Sequence, residues 1–142
     1  MEIRRETTKT CNRERKFIMN HFEKNYKLLL SDFEYWENKK LYLELMERFL
    51  NGNIDGTQFD SEFLEIWRKT LDKTYSSEEL LHIIEHVDLN QLKGFSDLIS
   101  ELFIECEVFQ PDSALRENYE ISEEELRNSV KKFFFKIEKW YP

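Results

Sequence analysis

The sequence predicts an all-α protein, an antiparallel four-helix bundle with an extra N-terminal segment or helix. Three observations carry that expectation. Only 3 Gly and 2 Pro occur among 142 residues, too few for an all-β domain with its many tight connections. Apolar residues recur at helical spacing rather than strand spacing. Helix-start and helix-stop residues stand at the ends of those periodic stretches. A chain of this length builds one hydrophobic core, and 12 Phe, 6 Tyr and 3 Trp predict that it is aromatic.

The segment from Arg13 to Leu30 is a candidate N-terminal helix. Ser31-Asp32-Phe33-Glu34 is a capping box, in which the Ser31 hydroxyl and the Glu34 carboxylate satisfy amides at a helix start. From there Tyr35, Tyr42, Leu45, Met46 and Phe49 repeat at helical spacing. Trp36, Leu43 and Leu50 widen the apolar arc, and Glu37, Lys40, Glu44, Glu47 and Arg48 take the other side. Asn51-Gly52 is a C-terminal stop, because glycine enters the left-handed conformation without strain. "NGNIDG" resembles a β-hairpin turn, but its flanks have period 3.6 rather than 2 and make it the turn of a helical hairpin.

Thr57 then caps a second helix, with Phe59, Phe63, Ile66 and Trp67 as its stripe, ending near Leu71. Ser77-Glu78-Glu79-Leu80 starts a short helix that ends near Asp88. "DLNQLKG" reads as a connection, and Ser96 or Asp97 opens the next helix. Leu98, Ile99, Leu102, Phe103, Cys106 and Phe109 lie on one face of it, and Pro111 marks the stop beyond. After a loop over residues 110–121, Ser122-Glu123-Glu124-Glu125 is a second capping box. The last helix buries Leu126, Val130, Phe133, Phe134, Ile137 and Trp140, and gathers Lys131, Lys132, Lys136 and Lys139 toward its end, where bases complement the helix dipole. Short connections between amphipathic helices favour antiparallel neighbours, hence the bundle.

Charge divides the chain. Residues 1–27 hold 8 Lys/Arg against 4 Asp/Glu, a net +4; the remainder holds 13 against 25, a net −12. The domain division expected is a basic N-terminal extension over 1–27 and a helical bundle domain over 28–142. An acidic body repels nucleic acid, whose binding needs cations to replace counterions. It attracts a basic protein partner and speeds the encounter; simple solubility explains the same acidity. Cys11 and Cys106 form neither a disulfide framework nor a Cys-x-x-Cys site, which suits a reducing compartment. No apolar run approaches the about 20 residues that span a bilayer, and the start lacks a secretory h-region. A soluble, cytoplasmic protein without membrane or nucleic-acid partners is expected.

His82-x-x-Glu85-His86 has the spacing of an inverted zinc-hydrolase signature. On the helical wheel Leu80, Ile83, Ile84 and Val87 face inward, leaving both histidines beside Glu78, Glu79 and Glu85. A catalytic zinc needs a third protein ligand and an open position, and the one other histidine is His21. Solvated histidines among acids explain the pattern more simply. No phosphate-binding glycine loop or nucleophile elbow occurs. The expectation is a protein with no catalytic residues, no metal and no cofactor.

"LISELFIECEVFQPDSALRENYEISEEELRNSVKKFF" is more specific. It resembles the C-terminal half of the colicin D immunity protein family in Glu101, Leu102, Phe103, Phe109, Pro111, Asp112, Arg116, Asn118, Tyr119, Glu120 and Ile121. "ERFLNGNIDGTQFDSEFLEIWRK" is similar to that family's first helical hairpin. The resemblance implies a four-helix bundle whose acidic surface covers the basic, substrate-binding active site of a tRNA-cleaving toxin. The 1–27 extension and the 72–95 segment lie outside the pattern. The alternative is a non-enzymatic interaction or scaffold subunit of a larger assembly.

The expected partner-binding residues are Glu101, Ile104, Glu105, Val108, Asp112, Glu117 and Glu120. Ile104 points away from the stripe centred on Leu98, Leu102 and Cys106. Val108 lies one turn further, beside Glu101 and Glu105, and Asp112 follows at the helix end. Apolar residues rimmed by acids suit a binding surface, with an anchor to desolvate and charges for steering. Alternatively, the N-terminal segment or the 72–95 helix covers Ile104 and Val108 as a second core.

Overall fold

A computed structural model describes residues 32–71 and 75–142. The expectations on Arg13–Leu30, on the 1–27 extension and on the Ser31 hydroxyl lie outside the described residues. Residues 32–37 are helical and meet α1 (Lys39–Leu50) across one turn residue, Asn38. Then come α2 (Gly56–Leu71), α3 (Ser77–His86), α4 (Leu89–Glu107) and α5 (Glu123–Trp140). Among the described residues there is no strand; Phe109 and Ile121 form an isolated parallel bridge.

The inward stripes pack as their spacing dictates. Tyr42, Leu45, Met46 and Phe49 of α1, Phe59 and Phe63 of α2, and Leu126, Val130 and Ile137 of α5 are buried with Phe95, Leu98, Ile99, Leu102 and Cys106 of α4. α1 packs against α2 and α5, and α4 against α5 and α2. The core is aromatic, as expected. Phe49 stacks on Phe59 at 4.8 Å between centroids and Trp67 on Phe103 at 4.5 Å. Such pairs add about 0.5–1.5 kcal/mol each beyond the area they bury.

The α1–α2 turn forms as the Asn-Gly signal predicts. Asn51 caps α1, Gly52 takes φ +77, and the Asn53 amide donates to the Arg48 carbonyl at 2.9 Å. The cap of α2, however, is Asp55 rather than Thr57. Its carboxylate accepts the Gln58 amide at 2.8 Å, and its carbonyl accepts the Phe59 amide at 3.0 Å. Thr57 sits within the first turn.

"DLNQLKG" is not a connection. Asp88 is an N-cap, accepting the Asn90 amide at 3.0 Å and the Gln91 amide at 3.3 Å, and α4 runs from Leu89. Gly94 does not break this helix. A Cβ there would collide with the Tyr141 hydroxyl, so the glycine leaves room for the end of the chain to pack. Ser96 is buried two turns inside α4, where it hydrogen-bonds to Asp32. Trp140, expected inside, is 56% exposed. Tyr141 packs against the core instead, edge-on to Trp36 and Phe95 at 6.2 and 6.1 Å. The second capping box forms as expected: Ser122 Oγ accepts the Glu125 amide at 3.2 Å, and Glu125 Oε1 accepts the Ser122 amide at 3.3 Å.

Candidate functional site: an acidic end

Two connections, the α1–α2 turn and the α4–α5 connection, meet at one end of the helical body. Glu123, at the first position of α5, accepts the Gly56 amide at the start of α2 through Oε1 and pairs with Arg127 at 3.7 Å through Oε2. A Cβ on Gly56 would meet the Phe109 ring and the Glu123 carboxylate, so glycine lets the α1–α2 turn approach the α4–α5 connection. That connection is tied at its base: the Ile121 amide donates to the Val108 carbonyl at 2.8 Å, and the Gln110 amide to the Ile121 carbonyl at 2.9 Å.

Charge concentrates on this end. Residues 101–125 contain nine carboxylates against one cation, Arg116, a net −8. Two physical effects add to the raw charge. The last turn of α4 carries Glu105 and Glu107 with no base, where the helix dipole is already negative. Acids at that position cost stability and strengthen the negative potential of the site. Glu123, Glu124 and Glu125 occupy the first turn of α5, where the dipole favours them. The Arg116 cation is turned onto the backbone, donating from Nε to the Gln110 carbonyl at 3.0 Å and from Nη2 to the Pro111 carbonyl at 3.3 Å.

The residues expected at a partner surface fall into two groups. Glu101 and Ile104 stand exposed on α4, Ile104 at 58%, while Glu105 and Val108 are half-buried. Glu105 Oε2 accepts the Ser129 hydroxyl at 3.4 Å. The other group holds the loop. Asp112 Oδ1 accepts the Ala114 amide at 2.9 Å, and Glu120 Oε1 accepts the Glu117 amide at 2.9 Å. Glu117 itself is exposed. Leu115 and Tyr119, 64% and 73% exposed on the same loop, were not among the expected contacts. Their signal was present, as the two large apolar residues between Asp112 and Glu120.

Behind this end lies Cys106. Burial first, and then the negative charge of Asp60, push its thiol far up, so it is not a nucleophile at neutral pH. Asp60 is in turn raised by burial, opposed by its hydrogen bond with Cys106. Cys11 lies outside the described residues. His82 and His86 lie with their rings 4.4 Å apart and are both exposed. Among the described residues no group of three His, Cys, Asp or Glu side chains could hold a metal ion. No described helix is long and apolar enough to cross a membrane.

The family model described as bacterial self-protective colicin-like immunity matches residues 39–137, from the start of α1 nearly to the end of α5. The chain belongs to that family. Its members are inhibitors of bacteriocins rather than enzymes. No curated protein and no solved structure matches the chain. As a colicin-like immunity protein it has a colicin-type toxin for a partner.

Proposed function

We propose that this chain is an immunity protein of the colicin D type, a four-helix bundle of that family that neutralises a tRNA-cleaving toxin in the cytoplasm. The acidic end occupies the toxin's basic active site, with carboxylates standing where tRNA phosphates would bind. Glu101, Ile104, Glu105, Val108, Asp112, Glu117 and Glu120 belong to the contact surface. The observation that supports this most is the net −8 over residues 101–125, built against the dipole of α4. A tRNA nuclease binds a polyanion through Lys and Arg, and a dense carboxylate surface is complementary to that site. Such a surface also raises the association rate, by an amount that falls as salt is added.

The test is inhibition of purified tRNA-cleaving domain of colicin D. One equivalent of this chain is expected to stop cleavage of tRNA, and Glu101→Lys with Glu105→Lys to restore it. Continued cleavage in the presence of saturating chain refutes the reading. A scaffold role in a larger assembly draws support from Phe135 and Trp140, exposed among lysines on α5 away from the acidic end. Stable co-purification with several subunits from native cells, and none of them a nuclease, would favour that reading.

A further inference from the structure

The 110–121 loop is more ordered than a passive connection needs. Its ends are joined by the Phe109–Ile121 bridge. Inside, Arg116 braces the Gln110 and Pro111 carbonyls, the Asp112 side chain closes one turn, and the Glu120 side chain closes another. What this frame holds outward is apolar: Leu115 at 64% and Tyr119 at 73% exposure. Large exposed apolar groups on a pre-ordered backbone are the arrangement of an interface anchor. Little further ordering entropy is lost on binding, and a tyrosine buries much area with few rotors.

We propose that Leu115 and Tyr119 are the apolar anchors of the toxin interface, inserted beside the basic active site that the carboxylates cover. This rests on the proposed function above and adds to it the residues that hold the complex together. The local charge selects the partner class. Nucleic acid and anionic lipid are repelled by the net −8 over residues 101–125, which include the loop, and a second copy would bring like charge to like. A basic protein surface is the complementary occupant. Division of labour follows: carboxylates govern association, and the two anchors govern dissociation.

The probe is the purified tRNA-cleaving domain of colicin D, with binding kinetics measured for wild type, Leu115→Ala, Tyr119→Ala, the Glu101→Lys/Glu105→Lys pair, and Phe135→Ala. Phe135 is also 64% exposed but lies outside the loop, and it controls for general loss of surface apolarity. Tyr119→Ala is expected to raise Kd about 30-fold or more, the effect of losing a hot-spot residue. The loss should appear as faster dissociation, with the salt dependence of association and the thermal midpoint unchanged. Leu115→Ala should act in the same direction, and Phe135→Ala should leave Kd within about twofold of wild type. If both loop variants bind within twofold of wild type while the charge reversal weakens binding, the anchors are refuted and the acidic reading stands. Equal losses in Tyr119→Ala and Phe135→Ala also refute the anchors. If the wild-type chain does not bind the domain, the functional reading fails and this proposal fails with it.

Discussion

Truncating Leu102 and Ile104, two residues apart on α4, separates core from surface. Leu102 is fully buried and Ile104 is 58% exposed. A buried Leu→Ala change costs about 2.7–5 kcal/mol through lost transfer energy and the cavity left behind. For Ile104, full burial would contribute about 1.5–3 kcal/mol, and less than half of its surface is covered. That leaves roughly 1 kcal/mol or less to lose. Alanine also has the higher helix propensity, returning up to about 0.7 kcal/mol. The net expectation for Ile104→Ala is within about 0.5 kcal/mol of wild type, as for exposed positions generally. Urea unfolding followed by far-UV circular dichroism reads both changes, with equal m values confirming comparable unfolded states. Binding to the toxin domain should show the reverse order for Ile104, with affinity lost and stability kept. If Ile104→Ala lowers stability by about 2 kcal/mol or more, Ile104 is a core residue and this face of α4 is not the interface.

Four further outcomes follow. Glu105→Lys places a base in the last turn of α4, where the dipole favours it, and Glu101→Lys changes an exposed position a turn earlier, so in the double variant stability should hold or rise by about 0.3–1 kcal/mol while toxin association slows; an unfolded variant would refute this. Asp88→Ala should cost about 0.5–2 kcal/mol as an N-cap loss, measured by thermal unfolding, and no effect would mean that α4 does not begin at Leu89. Asp60 has a raised folded-state pKa, so the folded state binds its proton more tightly than the unfolded chain does. Its ionisation therefore lowers stability at neutral pH, and stability returns as pH falls through the folded value toward the unfolded value of about 3.9. Asp60→Asn should be the more stable form near pH 7 and lose that advantage in acid, and a variant less stable than wild type at neutral pH overturns the argument. Replacing His82 and His86 with Ala should change stability by no more than about 0.5 kcal/mol, and stoichiometric zinc in protein purified without added metal, lost in that variant, would reinstate a metal site.

Local signals determined most of the secondary structure, because they act over three or four residues. The Asn51-Gly52 stop, the Ser122 capping box and the aromatic stripes of α1, α2 and α5 needed no long-range partner to be legible. The direction of Ile104, away from the inward stripe of α4, follows from 100° per residue, but its exposure does not, because another segment could have covered it. The failures came where a local signal was ambiguous and a distant contact resolved it. Gly94 reads as a breaker until Tyr141, 47 residues later in the chain, is seen to occupy the space it leaves. Ser96 reads as a helix start until Asp32 meets it within the packed body. Trp140 fits an inward stripe, yet Tyr141 takes the inward place at the end of α5.

The candidate site divides in the same way. Nine carboxylates in twenty-five residues are a property of the sequence, and so is the family pattern carried by that stretch. Which of them are free to meet a partner is decided by the fold. Asp112 and Glu120 close turns, Glu123 clamps α2 to α5, and Glu101 and Glu117 stand exposed. A carboxylate satisfies whichever amide the chain brings within reach, and only tertiary structure brings Gly56 to Glu123. Arg116 is the sharpest case: its charge is written in the sequence, but its direction, inward onto two carbonyls, comes from the folded loop and leaves the acidic end without an outward cation among residues 101–125.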